Sequence, residues 1–269
     1  MSSNVNLLID EYHNEETKTR IFNDIKNSLV NWGLDLYVNS SSPLTSKVLE
    51  PYSAIVIIAP RRSRREYDWK VEETQAIMQH VEEGGTLLVT PATGDRNYKL
   101  TFAREIGIDW LGMNSKFVTD FTLHPITKGI FKIHAPWFRA TLIPEWQQIA
   151  RVQLGIRSFP VIAVRELGKG KMIFVSSIQL FSKTFMKRYD NAKILLNMFS
   201  WIKELGEGAG IKREAPKQTK KVTITEKEVK PKVEIKLEPP QKQKFCPHCG
   251  VEVPPFAVFC PNCGASIEE

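Results

Sequence analysis

The chain has 269 residues, 37 Lys and Arg against 30 Asp and Glu, a formal net charge of +7, and 42% hydrophobic residues. That hydrophobic share fills a globular core, and so mild a charge does not by itself mark a nucleic-acid binder. No window approaches the ~18 apolar residues of a membrane span, and Met1, Ser2, Ser3 and Asn4 lack a basic flank or apolar run, so a soluble cytoplasmic protein without membrane contact is expected.

In chain order, Val5-Asn6-Leu7-Leu8-Ile9-Asp10 predicts a first strand, followed by the polar turn Glu11-Tyr12-His13-Asn14. Thr17 caps a predicted helix whose Ile21, Ile25 and Leu29 recur at i+4, with Phe22 alongside and Gly33 as the stop. Residues 34–38 predict a second strand, and a Ser/Pro-rich loop with a short helical segment over 44–49 leads to the central stretch. There Ala54-Ile55-Val56-Ile57-Ile58-Ala59-Pro60 reads as a strand buried on both faces of a parallel sheet. Arg61, Arg62, Ser63, Arg64 and Arg65 emerge at its carboxyl end, where open α/β sheets bind ligands.

Asp68 is the expected cap of a helix with Val71, Ile77, Met78 and Val81 inward and His80 solvated, closed by Gly84-Gly85. The strand over 86–90 opens into Pro91-Ala92-Thr93-Gly94-Asp95, at the same sheet edge as His13 and Arg61, and a helix over 98–106 follows. Pro125, Pro136 and Pro144 break the apolar runs of residues 107–158, which therefore read as small strands and loops. Residues 159–165 and 171–176 flank Gly168-Lys169-Gly170 as a hairpin, and a last helix from Asp190 puts Ala192, Leu195, Phe199 and Ile202 on one face. Residues 206–244 are Lys, Glu, Pro, Thr and Gln without an aromatic; Pro231, Pro239 and Pro240 interrupt their alternating part, so a flexible tether is expected rather than an edge strand.

All four cysteines lie between positions 246 and 263, in the near copies Cys246-Pro247-His248-Cys249-Gly250 and Cys260-Pro261-Asn262-Cys263-Gly264. Each copy sets two thiolates one tight turn apart, and four soft ligands suit one tetrahedral Zn2+ held by Cys246, Cys249, Cys260 and Cys263, with His248 surplus. Such a closed site is structural, and the spacing resembles the zinc ribbon family. The predicted organisation is an α/β domain over 1–205, a linker over 206–244 and a four-cysteine ribbon over 245–269.

The larger domain resembles the class I glutamine-amidotransferase-like superfamily, in its non-catalytic branch with the amino-terminal domains of intraflagellar-transport scaffolds. The resemblance is carried by Asp10-Glu11-Tyr12-His13, Gly84-Gly85-Thr86-Leu87-Leu88-Val89, His124-Pro125-Ile126-Thr127-Lys128-Gly129, Gly168-Lys169-Gly170-Lys171 leading to Ser176-Ser177, and Asp190-Asn191-Ala192. It implies an α/β fold with a three-layer, mostly parallel, flavodoxin-like sheet and helices on both faces. Catalytic members place a cysteine nucleophile on a strand-to-helix turn, whereas here no cysteine precedes position 246 and no Gly-x-Ser-x-Gly elbow replaces it.

The expected function is therefore a non-enzymatic binding or scaffold protein, with a ribbon that docks a protein partner. Arg61, Arg62, Ser63, Arg64 and Arg65, with His13, Thr93 and Asp95, form the candidate surface for an anionic ligand or acidic partner, because a helix start favours negative charge and four cations there oppose it unless an anion is present; the alternative is a solvated loop in which Glu66 and Asp68 pair with the arginines locally. His124 and His134 are expected to be structural, and Ser176, Ser177 and Ser182 either bind a ligand or cap the last helix. Two alternatives are a nucleic-acid-associated ribbon factor, and a hydrolase or sugar-active enzyme using His13, Asp95 and a serine. The ribbon fits phosphate poorly, since it has no Lys or Arg after Cys246 and carries Glu252, Glu268 and Glu269.

Overall fold

The computed structural model describes residues 5–13, 34–59, 70–91 and 101–208, with two-residue strands at 220–221, 244–245 and 252–253. Two compact units divide the chain, Met1–Ile224 and Thr225–Glu269. The helix expected over residues 17–29 and the cap at Asp68 lie outside the described residues. The strands are β1 (Val5–Asp10), β2 (Leu34–Asn39), β3 (Ala54–Ala59), β4 (Thr86–Pro91), β5 (Ile108–Val118), β6 (Asp120–Phe121), β7 (Ile133–Leu142), β8 (Gln147–Leu154), β9 (Arg157–Leu167), β10 (Gly170–Val175), β11 (Lys220–Lys221), β12 (Lys244–Phe245) and β13 (Glu252–Val253). The helices are α1 (Ser46–Leu49), α2 (Val71–Glu82), α3 (Thr101–Glu105), α4 (Lys183–Met186) and α5 (Asn191–Gly208).

Five strands run parallel in the order β2-β1-β3-β4-β10, the 2-1-3-4-5 order of flavodoxin-like sheets. Every residue of β1 and β4 is buried, and Ile55, Val56 and Ile57 of β3 are fully enclosed. An unbroken apolar run is what a strand with neighbours on both sides and cover on both faces requires.

The sheet is nevertheless mixed. Past β10 it continues antiparallel through β9, β8 and β6, and at the opposite edge β11 pairs antiparallel with β2, Lys220 opposite Val38 and Lys221 opposite Tyr37. The expectation of a mostly parallel sheet is corrected accordingly. Residues 107–158 do not form short strands and loops either: β5 and β7 are long strands of 11 and 10 residues, paired as a separate antiparallel ribbon from Ile108 opposite Leu142 to Val118 opposite Ile133. Prolines misled because β7 tolerates its own. Pro136 of β7 lies between His134 and Phe138, whose amides turn away from β5 to Asn191 and the Ser176 carbonyl, so the missing N–H of Pro136 costs the ladder nothing.

In α2, Ile77 and Val81 face the core as expected, but Val71 is exposed and His80 is buried. His80 fits because Gly85 has no side chain; a Cβ there would overlap the imidazole. The β9–β10 turn then packs on the end of this helix. Gly168 takes φ 57°, Lys169 N–H donates to the Glu82 carbonyl at 2.9 Å and Lys171 N–H to that of Gly85 at 3.3 Å, while a Cβ on Gly170 would strike the carbonyls of Val81 and Gly85. Both glycine motifs therefore serve one helix-to-turn seam.

Helix α5 buries Ile194, Leu195, Met198, Phe199 and Ile202 along one face. The segment from His124 forms a 3-10 turn over Pro125–Thr127, in which His124 Nδ1 accepts from Ile126 N–H at 3.2 Å. Asn197 of α5 holds it by donating to the carbonyls of Ile126 and Lys128 at 3.1 and 2.9 Å, and Trp201 packs edge to face on His124. His124 thus has the structural role expected of it.

Candidate functional site

The carboxyl edge of the parallel strands is polar and buried. It contains Asp10 at the end of β1, Asn39 at the end of β2, Thr90 in β4, and Ser176 and Ser177 directly after β10, all at most 1% exposed. Strands buried on both faces expose new chemistry only where their side-chain alternation ends, which is why polar groups collect there.

His13 organises one half of this edge. The turn after β1 is anchored by Glu11 N–H and Tyr12 N–H, both donating to the Asn39 carbonyl at 2.8 and 2.9 Å. This brings His13 Nδ1 to 2.8 Å from Asp10 Oδ2, while Nε2 lies 3.2 Å from Glu73 Oε1 on α2. Asn39 Nδ2 donates to Asp10 Oδ1 at 3.2 Å and to the Ser42 carbonyl at 2.7 Å, and Ser42 Oγ donates to Asn39 Oδ1 at 3.2 Å. Glu73 receives the Leu44 amide at 2.8 Å on Oε1 and the Lys70 amide at 3.1 Å on Oε2. One imidazole therefore ties β1, β2, the 42–44 loop and the start of α2 together.

Burial disfavours a charge on His13, but hydrogen bonds to Asp10 and Glu73, with their negative charges, outweigh it and raise the imidazole from 6.5 to about 9. Burial likewise opposes ionisation of Glu73, yet the His13 hydrogen bond and the Lys70 and Leu44 amides hold it below the usual carboxylate range. At neutral pH the imidazole is a cation with a carboxylate at each nitrogen. It then lacks the lone pair that a general base or a metal ligand needs.

Of the residues singled out from sequence, His13 is thus buried between two carboxylates. Arg61, Arg62, Ser63, Arg64, Arg65, Thr93 and Asp95 lie outside the described residues, as do Cys246, Cys249, Cys260 and Cys263. Sequence reading missed Asn39 and Glu73. Glu73 stands three residues after Lys70 at a helix start, the capping spacing, but nothing local says that its other oxygen reaches a histidine sixty residues earlier. In the other half of the edge, Thr90 Oγ1, Ser176 Oγ and Ser177 Oγ are buried without a hydrogen-bond partner among the described residues. Ser182 has a local role: its hydroxyl donates to the Gln179 carbonyl at 2.9 Å. In the second unit, β12 and β13 pair antiparallel, Lys244 opposite Val253 and Phe245 opposite Glu252, so strands close up on either side of the first Cys-x-x-Cys. Four thiols with such a hairpin form a donor set that fits zinc.

The fold and this edge define an α/β domain of mixed sheet whose buried histidine is committed to two carboxylates, followed by a four-cysteine unit. Residues 245–267 match the zinc-ribbon domain family. No protein of curated function matches the chain in sequence. Among solved structures it is similar to the N-terminal domain of mmIFT52, with a TM-score of 0.61 and 17% identity, over 73% of this chain and 97% of that one. It is also similar to a putative ThuA-like protein from Bacteroides uniformis, with a TM-score of 0.51 and 16% identity, over 75% of this chain and 93% of that one. A third likeness is a cytoplasmic protein from Salmonella typhimurium LT2, with a TM-score of 0.52 and 20% identity, over 74% of this chain and 99% of that one. These likenesses are likenesses of fold.

Proposed function

We propose that the chain is a non-enzymatic binding or scaffold protein: a three-layer amidotransferase-like domain with helices on both faces of its flavodoxin-like core, a tether, and a ribbon that docks a protein partner. The observation that carries this reading is the state of His13, held as a buried cation with both ring nitrogens at carboxylates. The chain also has no cysteine before position 246 to act as a nucleophile. A hydrolase built on His13, Asp95 and a serine would need that imidazole free to accept a proton. Cys246, Cys249, Cys260 and Cys263 hold one Zn2+ in this reading, and the ion supplies the stability that so small a unit lacks.

An anionic or acidic partner at Arg61, Arg62, Arg64 and Arg65 belongs to the same proposal. The run follows β3 at the carboxyl edge, where Thr90, Ser176 and Ser177 supply hydroxyls without partners among the described residues. One pull-down tests both parts, using the intact chain, a chain ending before Gln243, and the Arg61→Ala, Arg62→Ala double variant. Removal of the ribbon is expected to abolish recovery of the main partner, and the arginine variant to lose acidic partners alone. Recovery of the same proteins by all three would sink the reading.

A further inference from the structure

Phe117 at the end of β5, Lys132 and His134 at the start of β7, and Arg188 and Tyr189 in the turn between α4 and α5 converge at one place on the α/β domain. Lys132 Nζ lies 3.9 Å from the Phe117 ring centroid and 4.4 Å from that of Tyr189, and the two rings meet edge to face at 5.3 Å. His134 lies 4.7 Å from Phe117, and Arg188 Nη1 is 3.3 Å from His134 Nδ1. These rings are not core: Phe117, Phe131 and Tyr189 are 47%, 62% and 56% exposed, and they are the exposed aromatic rings among the described side chains. Lys132 covers part of two of them and leaves the remainder open.

The cluster is also held in place and left positive. Asp190 Oδ2 accepts the Phe131 and Lys132 amides at 2.7 and 2.9 Å, and the Asn191 side chain bonds both the N–H and the carbonyl of His134, at 2.9 and 2.8 Å. The acidic neighbour is thereby engaged by backbone, and among the described residues no ion pair takes up Lys132 or Arg188. Residues 101–200 carry 14 Lys and Arg against 6 Asp and Glu, so the chain's basic excess is concentrated in the part that builds this surface. Burial holds the His134 imidazole below its ordinary range, and the charges of Arg188 and Lys132 push it the same way. A proton is repelled where an anion would be welcomed.

We propose that this surface binds single-stranded nucleic acid, with Lys132 and Arg188 at phosphates and unpaired bases stacked on Phe117 and Tyr189, beside Phe131. Cations alone would suit any polyanion. Exposed rings held among them suit a polyanion that also brings flat π faces at every unit, as unpaired bases do; a duplex hides its faces and a polycarboxylate such as polyglutamate has none. The site is independent of the ribbon, which has no Lys or Arg after Cys246, and it stands or falls apart from the docking role given to that unit.

The test is fluorescence anisotropy of a labelled oligothymidylate or oligouridylate of about 15 nucleotides with the intact chain, across a salt series. Phe117→Ala with Tyr189→Ala is expected to weaken binding about tenfold or more at unchanged salt slope. Lys132→Ala with Arg188→Ala is expected to flatten the slope by about 1.4, two phosphates at about 0.7 each. Each variant's thermal midpoint is compared with the parent's, and the single variants replace any pair that fails to fold. Absence of binding at low salt, equal binding of a blunt duplex or of polyglutamate, or parental behaviour of the aromatic variant would each overturn the proposal; the last outcome would assign the retention to Arg61, Arg62, Arg64 and Arg65 or to the tether lysines.

Discussion

At the scale of residues, the buried trio of Asp10, His13 and Glu73 makes stability depend on pH in a definite direction. His13 is raised from 6.5 to about 9 on folding, so its contribution is complete below about 6.5 and is lost as pH rises through about 9. The shift corresponds to about 3 kcal/mol, an upper figure because Glu73 reports the same interaction from its own side. Glu73, lowered on folding, works in the opposite sense, losing its contribution as pH falls below the ordinary carboxylate range. The thermal midpoint of the α/β domain is therefore expected to be highest near pH 5 to 6.5 and to fall towards pH 9.5. Scanning calorimetry of the parent and of His13→Gln checks this: the variant should be less stable at pH 6 and should lack the alkaline slope. A parallel alkaline slope in both would remove the trio as its cause. His13 and Asp10 were legible in the sequence as neighbours in a turn after a strand. Glu73 was not, because a side chain at a helix start declares its cap and not its tertiary partner.

At the scale of elements, the motifs that carry the family resemblance prove to be seams between elements. Gly84-Gly85 and Gly168-Lys169-Gly170 meet at the end of α2, residues 124–129 dock on α5 through Asn197 and Trp201, and Asp190-Asn191 fasten α5 to the start of β7. Gly170 is the tightest of them, since a Cβ would meet the backbone carbonyls of Val81 and Gly85 rather than a side chain able to swing away. Gly170→Ala is expected to cost about 1 to 3 kcal/mol or more, by the overpacking of a full core. Gly155→Ala, where φ is 61° and a Cβ meets nothing within 4 Å, should cost about 1 kcal/mol from backbone strain alone. Urea denaturation of the two variants measures the difference; equal losses would show that the seam is slack. Apolar periodicity located α2, α5 and the parallel strands, since each buries a continuous face. It failed for β5 and β7, because Pro136 of β7 sits where the amides of His134 and Phe138 leave the ladder for Asn191 and the Ser176 carbonyl, and for His80, whose place depends on the missing side chain of Gly85.

At the scale of the whole molecule, the match of residues 245–267 to the zinc-ribbon domain implies that zinc is part of the second unit. Metal analysis of the intact chain is expected to give one zinc per chain, and Cys260→Ser to lose it. Chelation should unfold the ribbon and leave the calorimetric transition of the α/β domain in place, because the metal's binding energy is that unit's folding energy. Zinc retained at parental level by Cys260→Ser would exclude the four-cysteine site. The amino-acid sequence by itself determined the central parallel strands, the apolar faces of α2 and α5, and the spacing of four cysteines, because each is written in residues close together in the chain. Only the tertiary structure decided that the hairpin strand β10 joins the parallel sheet beside β4, that His13 is locked between Asp10 and Glu73, and that Phe117, Lys132 and Tyr189 share one surface. The deciding contacts, β10 with β4, His13 with Glu73, and Lys132 with Phe117 and Tyr189, join residues 15 to 85 positions apart, and local periodicity carries no information about which distant groups will meet.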